Sequence, residues 1–195
     1  MSKKSKNERN TENLVREALR GFDYYDPANS ISVEEQKSVV ESIKRLLKNG
    51  SKSKGGGSGY PEFLVSNAKT PDFLIVFECK ASAGDHESPL VSRVLSGVPL
   101  EEDEEAAAKR LQRFAVDGAL HYASLLSKEY NVIAVAVSGE TKQSAKISAY
   151  LHAKGAGKPK ALLSKTNDQP ITQILPWHDF VDHAVFDPAV RQTRL

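Results

Sequence analysis

One cysteine, one methionine and one tryptophan stand among 195 residues, and each scarcity narrows what the chain can be. A lone Cys79 leaves no partner for an internal disulfide and too few thiolates for a cysteine-based zinc site. Any metal must then use oxygen or histidine ligands, and the reducing cytoplasm is the expected compartment. No apolar run approaches the roughly 18 residues of a membrane-spanning helix, and the lysine-rich start has no apolar core after it, so neither secretion nor membrane contact is expected. Residues 51–59, Ser-Lys-Ser-Lys-Gly-Gly-Gly-Ser-Gly, read as a flexible linker or loop. They lack the closing Gly-Lys-Ser/Thr of a P-loop and therefore its lysine and metal-binding hydroxyl.

What is present suits a folded domain. Hydrophobic residues make up 39% and charged residues 27% of the chain, which excludes disordered, fibrous and membrane classes. One domain over residues 11–195 is expected, after a polar, disordered stretch at residues 1–10. The net charge of +2 conceals a pattern: residues 141–165 hold Lys142, Lys146, Lys154, Lys158, Lys160 and Lys165 and no acid. Such a stretch is suited to facing phosphate. The run Glu101-Glu102-Asp103-Glu104-Glu105 reads instead as a solvated loop and the first turn of a helix, where carboxylates suit the macrodipole. Consecutive acids on one turn radiate apart and do not converge on an ion.

Leu14, Val15, Ala18 and Leu19 recur at helical spacing behind Thr11 as N-cap, with Gly21 as the stop. A second helix is expected from a Ser32/Glu35 capping box through Val39, Val40, Ile43, Leu46 and Leu47, with Glu34 and Glu41 pointing away from its apolar face. Strands are expected at residues 63–65 and 73–80. A single amphipathic helix then runs over residues 106–128, and Val132-Ile-Ala-Val-Ala-Val137 suits a strand buried on both faces. Strand, helix, buried strand is the rhythm of an α/β crossover. Further strands are expected near residues 148–152 and 160–163, and a short helix with Trp177 and Phe180 near the end.

In Phe77-Glu78-Cys79-Lys80, alternation places Glu78 and Lys80 on one face of a strand and Cys79 on the other. A hard divalent ion wants two or more carboxylates, and a neighbouring lysine orients water or stabilises developing charge. Asp72 lies six residues from Glu78 on the same strand, roughly 20 Å away at about 3.3 Å per residue, too far to share an ion. A hairpin turning near residue 70 pairs positions summing to about 140, which sets Glu62 opposite Glu78, roughly 5 Å across. A slip of one residue turns Glu62 to the other face. Taken alone, the Glu-x-Lys triplet reads first as an ordinary ion pair at a strand end, with Glu62 a solvated loop residue and Asp72 closing a turn. The apolar strand it closes and the crossover after it favour a site.

These residues carry a resemblance. Tyr60-Pro-Glu-Phe-Leu-Val65 followed by Phe73-Leu-Ile-Val-Phe-Glu-Cys-Lys-Ala81 resembles the PD-(D/E)XK nuclease motif. With Ala115-Val-Asp-Gly-Ala-Leu-His-Tyr-Ala123 and Glu129-Tyr-Asn-Val-Ile-Ala-Val-Ala-Val-Ser-Gly139, roughly residues 30–155 are similar to the N-terminal endonuclease domain of type I and type IIG restriction-modification enzymes fused to N6-adenine DNA methylases. The resemblance implies an α/β restriction-endonuclease-like core, a central mixed sheet flanked by helices in αβββαβ order, and Mg2+-dependent hydrolysis of duplex DNA with Mn2+ as substitute. It assigns metal binding to Glu62 and Glu78 and a catalytic role to Lys80. The first acid is usually Asp, and Glu62 departs from this. An additional acid from the preceding helix would be Glu35, and His121, beside Tyr122, is either a DNA contact or a partly buried histidine satisfied by a backbone group. Lys52, Lys54, Lys142, Lys146, Lys154 and Lys158 are the expected phosphate contacts. With no Asn-Pro-Pro-Tyr methylase signature, zinc finger or ATPase motif, recognition is expected from methylase and target-recognition modules in the same longer chain or assembly, with a dimer for double-strand cleavage. The alternatives are a non-catalytic DNA-binding module with a degenerate site and a nuclease of the Holliday-junction-resolvase kind.

Overall fold

Six strands form one sheet in chain order: β1 (Ile31–Glu35), β2 (Phe63–Asn67), β3 (Phe73–Lys80), β4 (Asn131–Ser138), β5 (Lys146–His152) and β6 (Lys160–Ala161). The computed structural model describes residues 8–195. Only β3 and β4 pair in parallel; every other neighbour is antiparallel. The protein is thus α/β with a mixed sheet. Among the described residues seven α-helices flank it: α1 (Glu8–Gly21), α2 (Glu41–Leu46), α3 (Val91–Leu95), α4 (Glu104–Arg113), α5 (Ala115–Leu126), α6 (Trp177–Val185) and α7 (Pro188–Thr193). Among the described residues no helix is long and apolar enough to cross a membrane.

Strand alternation divides the core into two layers. Phe63, Val65, Ile75, Phe77, Cys79, Ile133 and Val135 pack with Val15 and Leu19 of α1 and Trp177 and Phe180 of α6. Leu64, Leu74, Val76, Ala134 and Ala136 face the other way, against Ala119, Tyr122, Ala123 and Leu126 of α5. The expected double-faced burial of residues 132–137 is observed. It follows from the central place of β4 between β3 and β5, with a helical layer on each face.

Several elements differ from expectation. Residues 32–47 are not one helix: Ser32 and Glu35 lie in β1, and only Glu41–Leu46 is helical. Ile31 and Val33 pack toward the core while Ser32 is exposed. Glu34, expected to point away, is buried and accepts from Ser38 Oγ at 2.9 Å and Val39 N at 2.6 Å. That turn converts strand to helix. Residues 106–128 break at Phe114, whose extended backbone separates α4 from α5. In a straight helix Arg110 and Asp117 would stand about 10 Å apart along the axis; the break brings Arg110 Nη1 to 2.8 Å from Asp117 Oδ1.

Thr11 is not an N-cap, because α1 begins at Glu8; of the stretch expected to be disordered, residues 8–10 are helical and residues 1–7 lie outside the described residues. The Thr11 hydroxyl instead meets Lys80 O at 3.2 Å and Gly139 O at 2.8 Å. This fastens α1 to the ends of β3 and β4.

Candidate functional site

The β2–β3 hairpin has the register that sets Glu62 opposite Glu78. Phe63 pairs with Phe77, Leu64 with Val76 and Val65 with Ile75, so Glu62, one residue before β2, follows in the same sum. Both carboxylates are buried, Glu62 at 8% and Glu78 at 0% exposure. Asp72 stands at the opposite end of β3, paired with Arg194 at 3.0 Å. Distance keeps it out of the group.

Each acid is held by identifiable neighbours. Gln36, in the left-handed region at φ 54, donates from Nε2 to Glu62 Oε2 at 2.7 Å and from its backbone N to Glu62 O at 3.2 Å. Glu78 lies under α5 at Gly118. Its Oε1 is ion-paired with Lys52 and lies 3.6 Å from Lys80 Nζ, while its Oε2 is buried without a hydrogen-bond partner among the described residues. Buried polar atoms are rarely left so. Lys80 also reaches Glu8 Oε1 of α1 at 3.1 Å. Burial pushes Lys80 down, but Glu78 and Glu8 outweigh it and hold the ammonium above its ordinary value. Tyr122 sits beside the acids, and its hydroxyl is pushed up by burial and by Glu78 and Glu62.

The acid that a helix brings to Lys80 is Glu8 of α1, and Glu35 lies apart from it. Glu35 ends β1 and is held by Arg16 at 2.8 Å. The N-terminus of α1 carried no apolar periodicity that far upstream, so Glu8 had no sequence signal. Gln36 and Gly118 were likewise missed, since their roles exist only across long-range contacts.

The expected phosphate contacts divide. Lys142 and Lys146 are exposed at the end of the sheet that carries Lys80, because Lys146 pairs with Ser138 and Ser138 with Lys80. Lys154 follows the far end of β5, six residues beyond Lys146 at His152, or about 20 Å along a strand. Lys158 packs its stem toward Gly97. The acid-free stretch therefore does not form one track. Lys54 is exposed on the glycine loop, whereas Lys52 is turned inward. His121 Nε2 meets Gly50 O at 2.9 Å and its pKa is lowered by burial, so its ring is engaged in anchoring the loop base.

Among the described residues no group of three or more His, Cys, Asp or Glu is arranged to hold a metal. Two carboxylates from adjacent strands, one with an orphaned buried oxygen, nevertheless suit a hard divalent ion that completes its shell with water. Comparison with family models, curated proteins and solved structures finds no match in any of the three.

Proposed function

We propose that the chain is a Mg2+-dependent DNA endonuclease, the cleavage module of a restriction-modification system, with a restriction-endonuclease-like fold. The observation that carries this reading is the convergence of Glu62, Glu78 and Lys80 at one end of the β2–β3 hairpin, with Glu78 Oε2 buried and unpartnered. The order helix, strand, short helix, two strands, helices, strand around that hairpin is compatible with it, with α2 an interruption of the expected αβββαβ order, and the exposed Lys142 and Lys146 at the Lys80 end of the sheet support it.

Glu62 and Glu78 would hold Mg2+ or Mn2+. The bound ion supplies neutralisation of a phosphodiester oxygen and a more acidic water. Gln36 fixes the Glu62 carboxylate, and the close floor of α5 at Gly118 fixes Glu78. Lys80, kept as an ammonium by Glu78 and Glu8, donates and does not accept. It orients the attacking water and stabilises negative charge as it develops. The surface lysines give salt-sensitive, largely sequence-independent affinity, and sequence choice falls to methylase and target-recognition modules in the same chain or assembly, in the cytoplasm, with pairing of two copies for double-strand cuts.

Supercoiled plasmid incubated with the protein and Mg2+ tests the reading. Nicked or linear product that disappears on chelation is expected. DNA binding without cleavage in either Mg2+ or Mn2+ would support the other reading, a binding module with a degenerate site, which the Lys52 ion pair on Glu78 and the Glu at position 62 favour.

A further inference from the structure

The glycine-rich loop after α2 does more than connect. Its base is pinned: Gly50 N and Gly59 N both donate to Leu47 O, at 2.9 and 3.3 Å, and Ser51 N donates to Gly57 O at 2.9 Å. Gly50 and Gly59 touch so closely that a Cβ on Gly59 would fall 2.4 Å from Gly50 O. The glycines at the tip are sterically open. Gly55, Gly56 and Gly57 have positive φ of 94, 78 and 105°, and nothing lies within 4 Å of where their Cβ atoms would be. Three polar links hold the tip down: Lys52 to Glu78, Gln112 Nε2 to Lys52 O at 3.0 Å, and Gly55 N to Glu104 Oε1 at 3.0 Å.

From this geometry we infer that Lys52 is a built-in competitor of the divalent cation: its ammonium occupies Glu78 Oε1 and must withdraw with the loop before a metal ion binds. The inference rests on the metal-site reading above. Charge supports it. Glu78 Oε1 is shared by two ammoniums, Lys52 and Lys80, and Lys80 is engaged by Glu8 as well; withdrawal of Lys52 removes one positive charge from the Glu78 carboxylate, which a metal cation can replace. An ammonium and a divalent cation repel at one carboxylate oxygen, so the two states exclude each other. Glycines at the tip supply the backbone freedom for the exchange, and the pinned base, which includes Gly57 through Ser51 N and Ser58 through Lys48 O, limits the movement to residues 52–56. The device sets a threshold: the site stays internally neutralised until the cation concentration displaces the lysine.

Mn2+ titration followed by the electron paramagnetic resonance of free Mn2+ tests this on the full chain at fixed ionic strength, with circular dichroism confirming the fold. Lys52→Gln is expected to bind at least ten-fold tighter than the parent, Lys52→Arg to stay near it, and Glu78→Gln to lose the site. In the unmodified protein, Mn2+ is expected to accelerate tryptic cleavage after Lys52, mapped by mass spectrometry. Equal or weaker binding by Lys52→Gln, with cleavage after Lys52 indifferent to Mn2+, overturns the competition while leaving the metal site intact. Absence of binding by both parent and Lys52→Gln overturns the metal-site reading and the competition with it.

Discussion

Gly118 of α5 lies directly over Glu78 of β3: a Cβ there would stand 3.0 Å from Glu78 Cγ and 3.2 Å from its Cδ and Oε1. A glycine in the interior of a helix costs about 1 kcal/mol relative to alanine, so helix propensity alone favours Gly118→Ala. Overpacking a filled core costs about 1–3 kcal/mol, and here the displaced group is the central carboxylate of the site. Gly118→Ala is expected to be neutral to about 2 kcal/mol destabilising while lowering Mn2+ affinity and cleavage. Chemical denaturation alongside the titration separates the two effects.

Asp117, one residue earlier, points to a buried network. Its carboxylate accepts from Ser88 N at 2.9 Å and Ser88 Oγ at 2.5 Å and pairs with Arg110 at 2.8 Å. Removing one partner of a buried pair leaves the other charge uncompensated, at about 3–5 kcal/mol. Arg110→Ala is therefore expected to lower the urea midpoint sharply, with Ser88 moderating the loss, whereas Lys109→Ala, whose partner Glu105 is exposed, should shift it little.

The chain announced its two longest strands and the β2–β3 register, because Phe73–Lys80 and Asn131–Ser138 are long apolar runs whose burial needs no further information. It misdirected at residues 32–47. There Ser32 and Glu35 imitate a capping box, and the Ile31/Val33 alternation that makes β1 is too short to compete with the apolar spacing of Val39, Val40 and Ile43. The helix break at Phe114 carries no glycine or proline and is set by tertiary contacts. Of the site, Glu62, Glu78 and Lys80 were legible from one hairpin. Glu8, Gln36 and the inward turn of Lys52 depend on segments far apart in sequence, which only the fold brings together.

Thr11 couples α1 to that end of the sheet through Lys80 O and Gly139 O. Thr11→Val keeps the shape and removes the donor, leaving buried carbonyls short of a partner at about 1–3 kcal/mol. A lower melting temperature is expected, together with faster amide exchange at the start of α1, where Glu8 meets Lys80.

His86 gives the protein an acid limb. Its ring is buried between Ser138 Oγ at 2.7 Å and Ser148 Oγ at 2.8 Å, and burial, assisted by Lys146, lowers its pKa from 6.5 to about 4. Between those values the unfolded chain binds the extra proton, so stability from this group is complete above pH 6.5 and falls as pH drops toward 4. Urea unfolding of His86→Asn is expected to depend on pH less steeply in that window than the parent. His121 and His152, also lowered by burial, remain in the variant and keep the same sign of slope.

Plasmid cleavage in Mg2+ by the parent and four folded variants, Glu62→Ala, Glu78→Ala, Lys80→Ala and Asp72→Ala, tests the proposed nuclease site most directly. Loss of cleavage in the first three and its survival in Asp72→Ala is the expected result, because Asp72 is tied to Arg194 at the far end of β3. An active Glu62→Ala beside a dead Asp72→Ala would contradict it.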